Sequence, residues 1–157
     1  MKLAVGRWKI EFDPEETARC YEQTIADWYC DCAECRNFAA LEDKVWSTSA
    51  IDLFERLRVD PQKPAEVYHN GREVNGLHSY GGWFHFIGKI ESGTDALKQV
   101  GNIACNGVFE LEPLGENFEF GFSNCVGLVP QAFSRRAIVQ LEFVTKVPWT
   151  IAEPEPS

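Results

Sequence analysis

Three cysteines fall within six residues of the stretch Trp28-Tyr29-Cys30-Asp31-Cys32-Ala33-Glu34-Cys35-Arg36-Asn37-Phe38. The spacing is C-x-C-x2-C, and its Cys-x2-Cys part is the usual half of a tetrahedral zinc site, which wants four soft or borderline ligands. Cys30 adds a third thiol, so one ligand is left to find. No second Cys-x2-Cys and no His-x3–5-His supplies it. Cys20, Cys105, Cys125, His69, His78 and His85 are single candidates. We place His85 first and His78 second, because both fall on the strand that a sheet-packed helix would reach. The predicted ligand set is Cys30, Cys32, Cys35 and His85, around a zinc ion with a structural role. Cys35 is expected in the first turn of a helix, where free N–H groups and the helix dipole favour thiolate.

Other chemistries compete for the same residues. A dithiol redox motif belongs after a strand in a βαβ unit, whereas this cluster follows a capped helix. A catalytic cysteine with a histidine base is conceivable at a helix start, but nothing selects which Cys or which His. Three reduced, partly buried thiols would also fit the spacing, since free Cys behaves as a small hydrophobe. His85 shares a strand face with Trp83 and Ile87, so it equally reads as a hydrogen-bonded core residue. Glu110, Glu112, Glu119 and Glu142 alternate along strands and read as a solvated face, not as an acid–base pair. Gly81-Gly82 lacks the helix and spacing of a phosphate loop.

The elements that must position these groups are written in the hydrophobic periods. Residues 3–12 read as a strand, with Trp8, Ile10 and Phe12 on one face. Asp13-Pro14-Glu15-Glu16 is a helix start with cap, N1 proline and capping box. Ala18, Tyr21, Ile25 and Trp28 continue it at helical spacing. Cys35, Phe38, Leu41 and Val45 mark a second helix. A third runs from Thr48 or Ser49 to Arg58 and is stopped by Asp60-Pro61-Gln62-Lys63-Pro64. The remainder alternates with period two: Glu66–His69, a turn-rich NGREVNG, the run LHSYGGWFHFIGKIE, Phe118–Phe122, and Val139–Phe143. Gly81-Gly82 is expected to mark a bulge or bend. Alternation implies an antiparallel sheet with one wet face. The order of strand, helices, then strands predicts an α+β fold with helices packed on one face of the sheet. Residues 1–152 form the one expected domain, and 153–157 a flexible C-terminal tail.

At 157 residues, 45% hydrophobic and 25% charged, the chain can bury a core of its own. The 13% aromatic content is high and falls mostly on strand-like positions. A net charge of −9 with scattered basic residues argues against nucleic acid and would suit a basic protein partner. No stretch is apolar enough to span a membrane, and MKLAVGRWKIEF lacks a signal-peptide core. The expected setting is cytoplasmic, with all six cysteines meeting a reducing medium.

WYCDCAECRNF, VDPQKPAEVYHNG, YGGWFHFIG and LEFVTKVPW together resemble a family of small bacterial proteins that share the C-x-C-x2-C-R-N-F motif and have no known activity. The resemblance covers nearly the whole chain and implies a bacterial cytoplasmic protein. It carries no catalytic residue. Two functional readings follow from the residues. One is a non-enzymatic protein-interaction domain, immunity- or antitoxin-like, steadied by zinc. The other is a metal-dependent enzyme or small-ligand binder with a cleft near Trp83–His85.

Overall fold

The computed structural model describes residues 1–156. Residue 157, the end of the expected flexible tail, lies outside them. The chain is α+β. Its strands are β1 (Lys2–Val5), β2 (Trp8–Phe12), β3 (Glu66–Arg72), β4 (His78–Ser92), β5 (Leu97–Gln99), β6 (Gly107–Phe109), β7 (Glu112–Pro113), β8 (Phe118–Ser123) and β9 (Ile138–Val147). Its helices are α1 (Pro14–Glu22), α2 (Ala33–Leu41) and α3 (Thr48–Leu57). Seven strands make one antiparallel sheet in the order β1-β2-β4-β9-β8-β7, with β3 also paired to β4. β5 and β6 form a separate hairpin.

Local signals account for the helices. Asp13 caps α1 by accepting from the Glu16 N–H at 3.0 Å, and Pro14 follows at the first helical position. Ser47 caps α3 by accepting from the Ala50 N–H at 3.0 Å. Arg58 ends α3 in a left-handed conformation with φ 62°. Two expectations are corrected. The opening strand is a hairpin, because Gly6 at φ 56° reverses the chain between β1 and β2. α1 stops at Glu22, so Ile25 is exposed and Trp28 packs on Phe38 from irregular chain.

β4 is the spine of the sheet. On one edge it pairs with β9 along residues 78–87. On the other, β3 covers 78–83 and β2 covers 88–92, and α1 fills the gap between them. There Thr17 Oγ1 accepts from the Ile87 N–H at 3.0 Å, and the Asp13 N–H donates to the Ile87 carbonyl at 2.9 Å. The Thr17 side chain and the backbone N–H of the α1 cap residue thus complete the strand edge, as buried backbone groups require.

The bulge expected at Gly81-Gly82 is instead in β3, between His69 and Gly71, while β4 keeps its register through both glycines. They serve close approach: a Cβ on Gly81 would stand 2.6 Å from the Tyr68 ring, and one on Gly82 would stand 2.1 Å from the Glu66 carbonyl oxygen. The main core lies under the helices. Phe84, Phe86, Phe118, Phe120, Phe122, Leu141 and Phe143 are buried there, with Trp46 edge-on to Phe54 and Phe143.

Candidate metal centre

The three clustered cysteines meet at the start of α2. Cys32 is its N-cap, and its sulfur accepts from the Cys35 N–H at 3.4 Å. Cys35 therefore sits in the first turn, as its spacing predicts. Asp31 has a left-handed backbone, φ 61°, which turns the chain between Cys30 and Cys32 so that their side chains converge. Its carboxylate receives the Tyr29 hydroxyl at 2.9 Å and Arg36 Nη1 at 3.2 Å, which hold the turn and keep its pKa low. Cys30 Sγ lies 2.9 Å from Cys32 Sγ and 3.2 Å from Cys35 Sγ. All three sulfurs fall within 4.8 Å of one another and form a group that could hold a metal ion.

Their environments differ. Cys30 is exposed, Cys32 half-buried and Cys35 buried. Hydrogen bonding from Cys32, then from Cys35, favours the charged form of Cys30 and lowers its pKa. Burial raises the pKa of Cys32, and pushes that of Cys35 up to about 12. Cys30 is thus the thiol that ionises first, and an incoming cation meets it first. A bound cation would then favour thiolate at the other two.

The remaining candidate ligands divide sharply. His85 is not brought to the group. Strand alternation sets it on the face opposite Phe84, 1% exposed, with its ring centroid 6.0 Å from that of Phe133. Its Nε2 has no hydrogen-bond partner among the described residues, and burial lowers its pKa to about 4. Cys20 belongs to α1, where its thiol donates to the Ala132 carbonyl at 3.3 Å. Cys105 and Cys125 form a disulfide, which corrects the expectation that all six thiols are free.

His78 and His69 lie next to α2, in a polar layer that sequence reading does not disclose. Tyr80 sends its hydroxyl to the Glu34 carbonyl in the first turn of α2, at 2.8 Å. The His69 ring packs edge-on to Tyr80, with centroids 5.0 Å apart. His69 Nε2 lies 2.8 Å from His78 Nδ1, and His78 Nε2 lies 2.7 Å from Glu155 Oε1. Arg72 also reaches Glu155, at 2.9 Å. Buried Asn37 donates to the Pro148 carbonyl at 3.1 Å and accepts from the Thr150 N–H at 2.8 Å. Arg36 Nε donates to Glu153 at 2.8 Å. The segment after β9 is therefore tied to α2 and to β3–β4 through Glu153 and Glu155. The legible signal was the hairpin: His69 and His78 flank the turn-rich NGREVNG and meet across it once its register is known.

The second face of the sheet is not wet where β9 crosses it. Gln140 and Glu142 are 4% and 2% exposed, which overturns the solvated reading of Glu142. The segment after β8 folds over them: the Gly127 N–H donates to Gln140 Oε1 at 2.8 Å, and Trp83 Nε1 donates to the Gly127 carbonyl at 2.9 Å. Gln140 Nε2 donates to Glu142 Oε1 at 2.5 Å. Burial raises the Glu142 pKa to about 7, against the Gln140 bond and with a contribution from Glu66. His85 is thus buried, and Trp83 is half-buried beneath the chain at Gly127.

No family model, no curated protein and no solved structure matches the chain. No helix among the described residues is long and apolar enough to cross a membrane.

Proposed function

We propose that the protein is a non-enzymatic interaction domain whose Cys30, Cys32 and Cys35 hold one structural zinc ion. The observation that carries this reading is the meeting of three sulfurs within 4.8 Å at the capped start of α2. Thiolate ligands select zinc and other thiophilic ions over magnesium or calcium. Zinc there would pin the irregular segment 24–32, which has no backbone ladder of its own.

That segment carries Trp28, which lines a surface groove of about 440 Å³ with Phe38, Trp46, Glu42 and Asp43. The groove has an aromatic floor and an acidic rim. Such a surface suits an Arg- or Lys-bearing segment of a basic protein, with the cation over an aromatic face. An immunity- or antitoxin-like role is one setting for such a partner.

Purified protein should carry close to one zinc per chain, and serine at Cys30, Cys32 or Cys35 should release it. Chelation should lower the melting temperature without complete unfolding, because the aromatic core remains. An Arg-rich peptide should bind the zinc-loaded protein, more weakly in salt and in Asp43→Lys. Metal-free protein with an unchanged melt in chelator would sink the zinc reading. Peptide binding indifferent to Asp43→Lys would sink the groove.

A further inference from the structure

The zinc reading leaves a tetrahedral ion one ligand short, and the structure narrows the choice. Cys105 and Cys125 are joined to each other, Cys20 is engaged at Ala132, and His85 lies on the far face of the sheet. Both ring nitrogens of His78 are engaged, one by His69 and one by Glu155. Of the remaining histidines and cysteines, His69 alone combines an uncommitted ring nitrogen, among the described residues, with a place beside the first turn of α2.

The contact to His78 fixes which nitrogen that is: His69 Nε2 lies 2.8 Å from His78 Nδ1, which leaves His69 Nδ1. His78 and Arg72 hold the Glu155 carboxyl below its usual range, so the carboxylate only accepts. In the tautomer that matches an accepting carboxylate, His78 donates from Nε2 and presents a bare Nδ1. His69 must then donate from Nε2, which leaves the lone pair on Nδ1. A neutral imidazole with one nitrogen bare, its other N–H donating to a partner anchored on a carboxylate, is the form in which histidine binds metal. Its neighbour Tyr80 contacts the Glu34 carbonyl, one residue from Cys35.

We propose that His69 is the fourth ligand: Nδ1 closes a Cys3His site with Cys30, Cys32 and Cys35, and His78 and Glu155 position its ring. The inference rests on the zinc reading above. The three thiols form the group without His69, so closing the site requires its ring to turn from Tyr80 toward the sulfurs. Two elements far apart in sequence, the α2 start and β3, are thereby joined through the metal. Glu34, in the same turn, is the carboxylate that competes for the position.

Zinc affinity, measured by competition with a chelating dye, tests the assignment, with cobalt(II) as the spectroscopic probe. His69→Ala should weaken zinc by more than about 100-fold, exceeding the 10–100-fold typical of an outer partner. Glu155→Gln should fall within about 10–100-fold, and Glu34→Gln should change little. The visible cobalt bands should alter in His69→Ala and move toward those of a four-thiolate site in His69→Cys. In the wild-type protein, zinc should shift the His69 Nδ1 resonance in a nitrogen-15 spectrum, a readout independent of how the variants fold. Wild-type protein that binds zinc, with an unmoved His69 resonance and undiminished affinity in His69→Ala, would overturn His69 while leaving the three-thiol site. A loss on Glu34→Gln in its place would overturn it in favour of the carboxylate. Wild-type protein that binds neither metal would overturn both readings.

Discussion

The Tyr21 hydroxyl satisfies both backbone groups of His85. It donates to the His85 carbonyl at 2.7 Å and accepts from the His85 N–H at 3.1 Å. One side chain of α1 thus stands where a neighbouring strand would stand, in the gap between β2 and β3. Tyr21→Phe keeps the ring against Phe133 but strands two buried backbone groups. At about 1–3 kcal/mol per unsatisfied group, with some relief from water, the loss should be about 2–4 kcal/mol in urea denaturation. A loss below about 0.5 kcal/mol would mean that the hydroxyl does not close the sheet edge.

Phe120 is 1% exposed, and its ring lies 5.3 Å from Trp8 and 5.5 Å from Phe122, edge-on to both. Truncating a buried Phe to Ala usually costs about 3–5 kcal/mol. Chemical denaturation of Phe120→Ala should fall in that range. A change under about 1 kcal/mol would show the cluster to be loosely packed.

Two buried groups beside Gln140, Glu142 by a hydrogen bond and His85 by register across β4 and β9, have opposite pH dependence. The Glu142 pKa is raised from 4.5 to about 7, so the unfolded chain loses a proton that the folded chain keeps. Its contribution is fully present below pH 4.5 and is lost as pH rises through about 7. The His85 pKa is lowered from 6.5 to about 4, so the unfolded chain gains a proton that the folded chain refuses. That contribution is present above pH 6.5 and lost as pH falls toward 4. Each amounts to about 3 kcal/mol at full extent, and between pH 4.5 and 6.5 the two slopes oppose. Wild-type stability should therefore be nearly flat there. Glu142→Gln, which preserves an acceptor for Gln140, should gain stability at pH 8 and expose a rise between pH 4 and 6.5. Identical pH profiles for variant and wild type would disprove the buried carboxylate.

Cys105 and Cys125 link the β5–β6 hairpin region to the segment that covers Gln140. Denatured, unreduced protein should yield four titratable thiols, and reduced protein six. Replacing both cysteines by serine should cost about 2–4 kcal/mol, the usual scale for a crosslink of this loop length. Six thiols without reductant would show the bond to be absent.

The division between sequence and structure follows the range of the interactions. Helix starts were legible because Asp13 and Ser47 act on N–H groups three residues away, and strand faces because alternation is a property of neighbours. Cys30, Cys32 and Cys35 were legible as a group for the same reason, since one left-handed residue suffices to gather them. Where α1 stops was not legible: Ile25 continues the helical period, yet no surface is there to bury it. Nor was the fate of Glu142, which looks solvated until the chain around Gly127 folds over it. His85 and His69 make the point most directly. Both were single candidates by sequence, and their difference is one of sheet face and hairpin register. Those depend on the pairing of β3, β4 and β9 across tens of residues, so only the tertiary structure could set His69 against Tyr80 on the α2 face of the sheet and turn His85 to the other face.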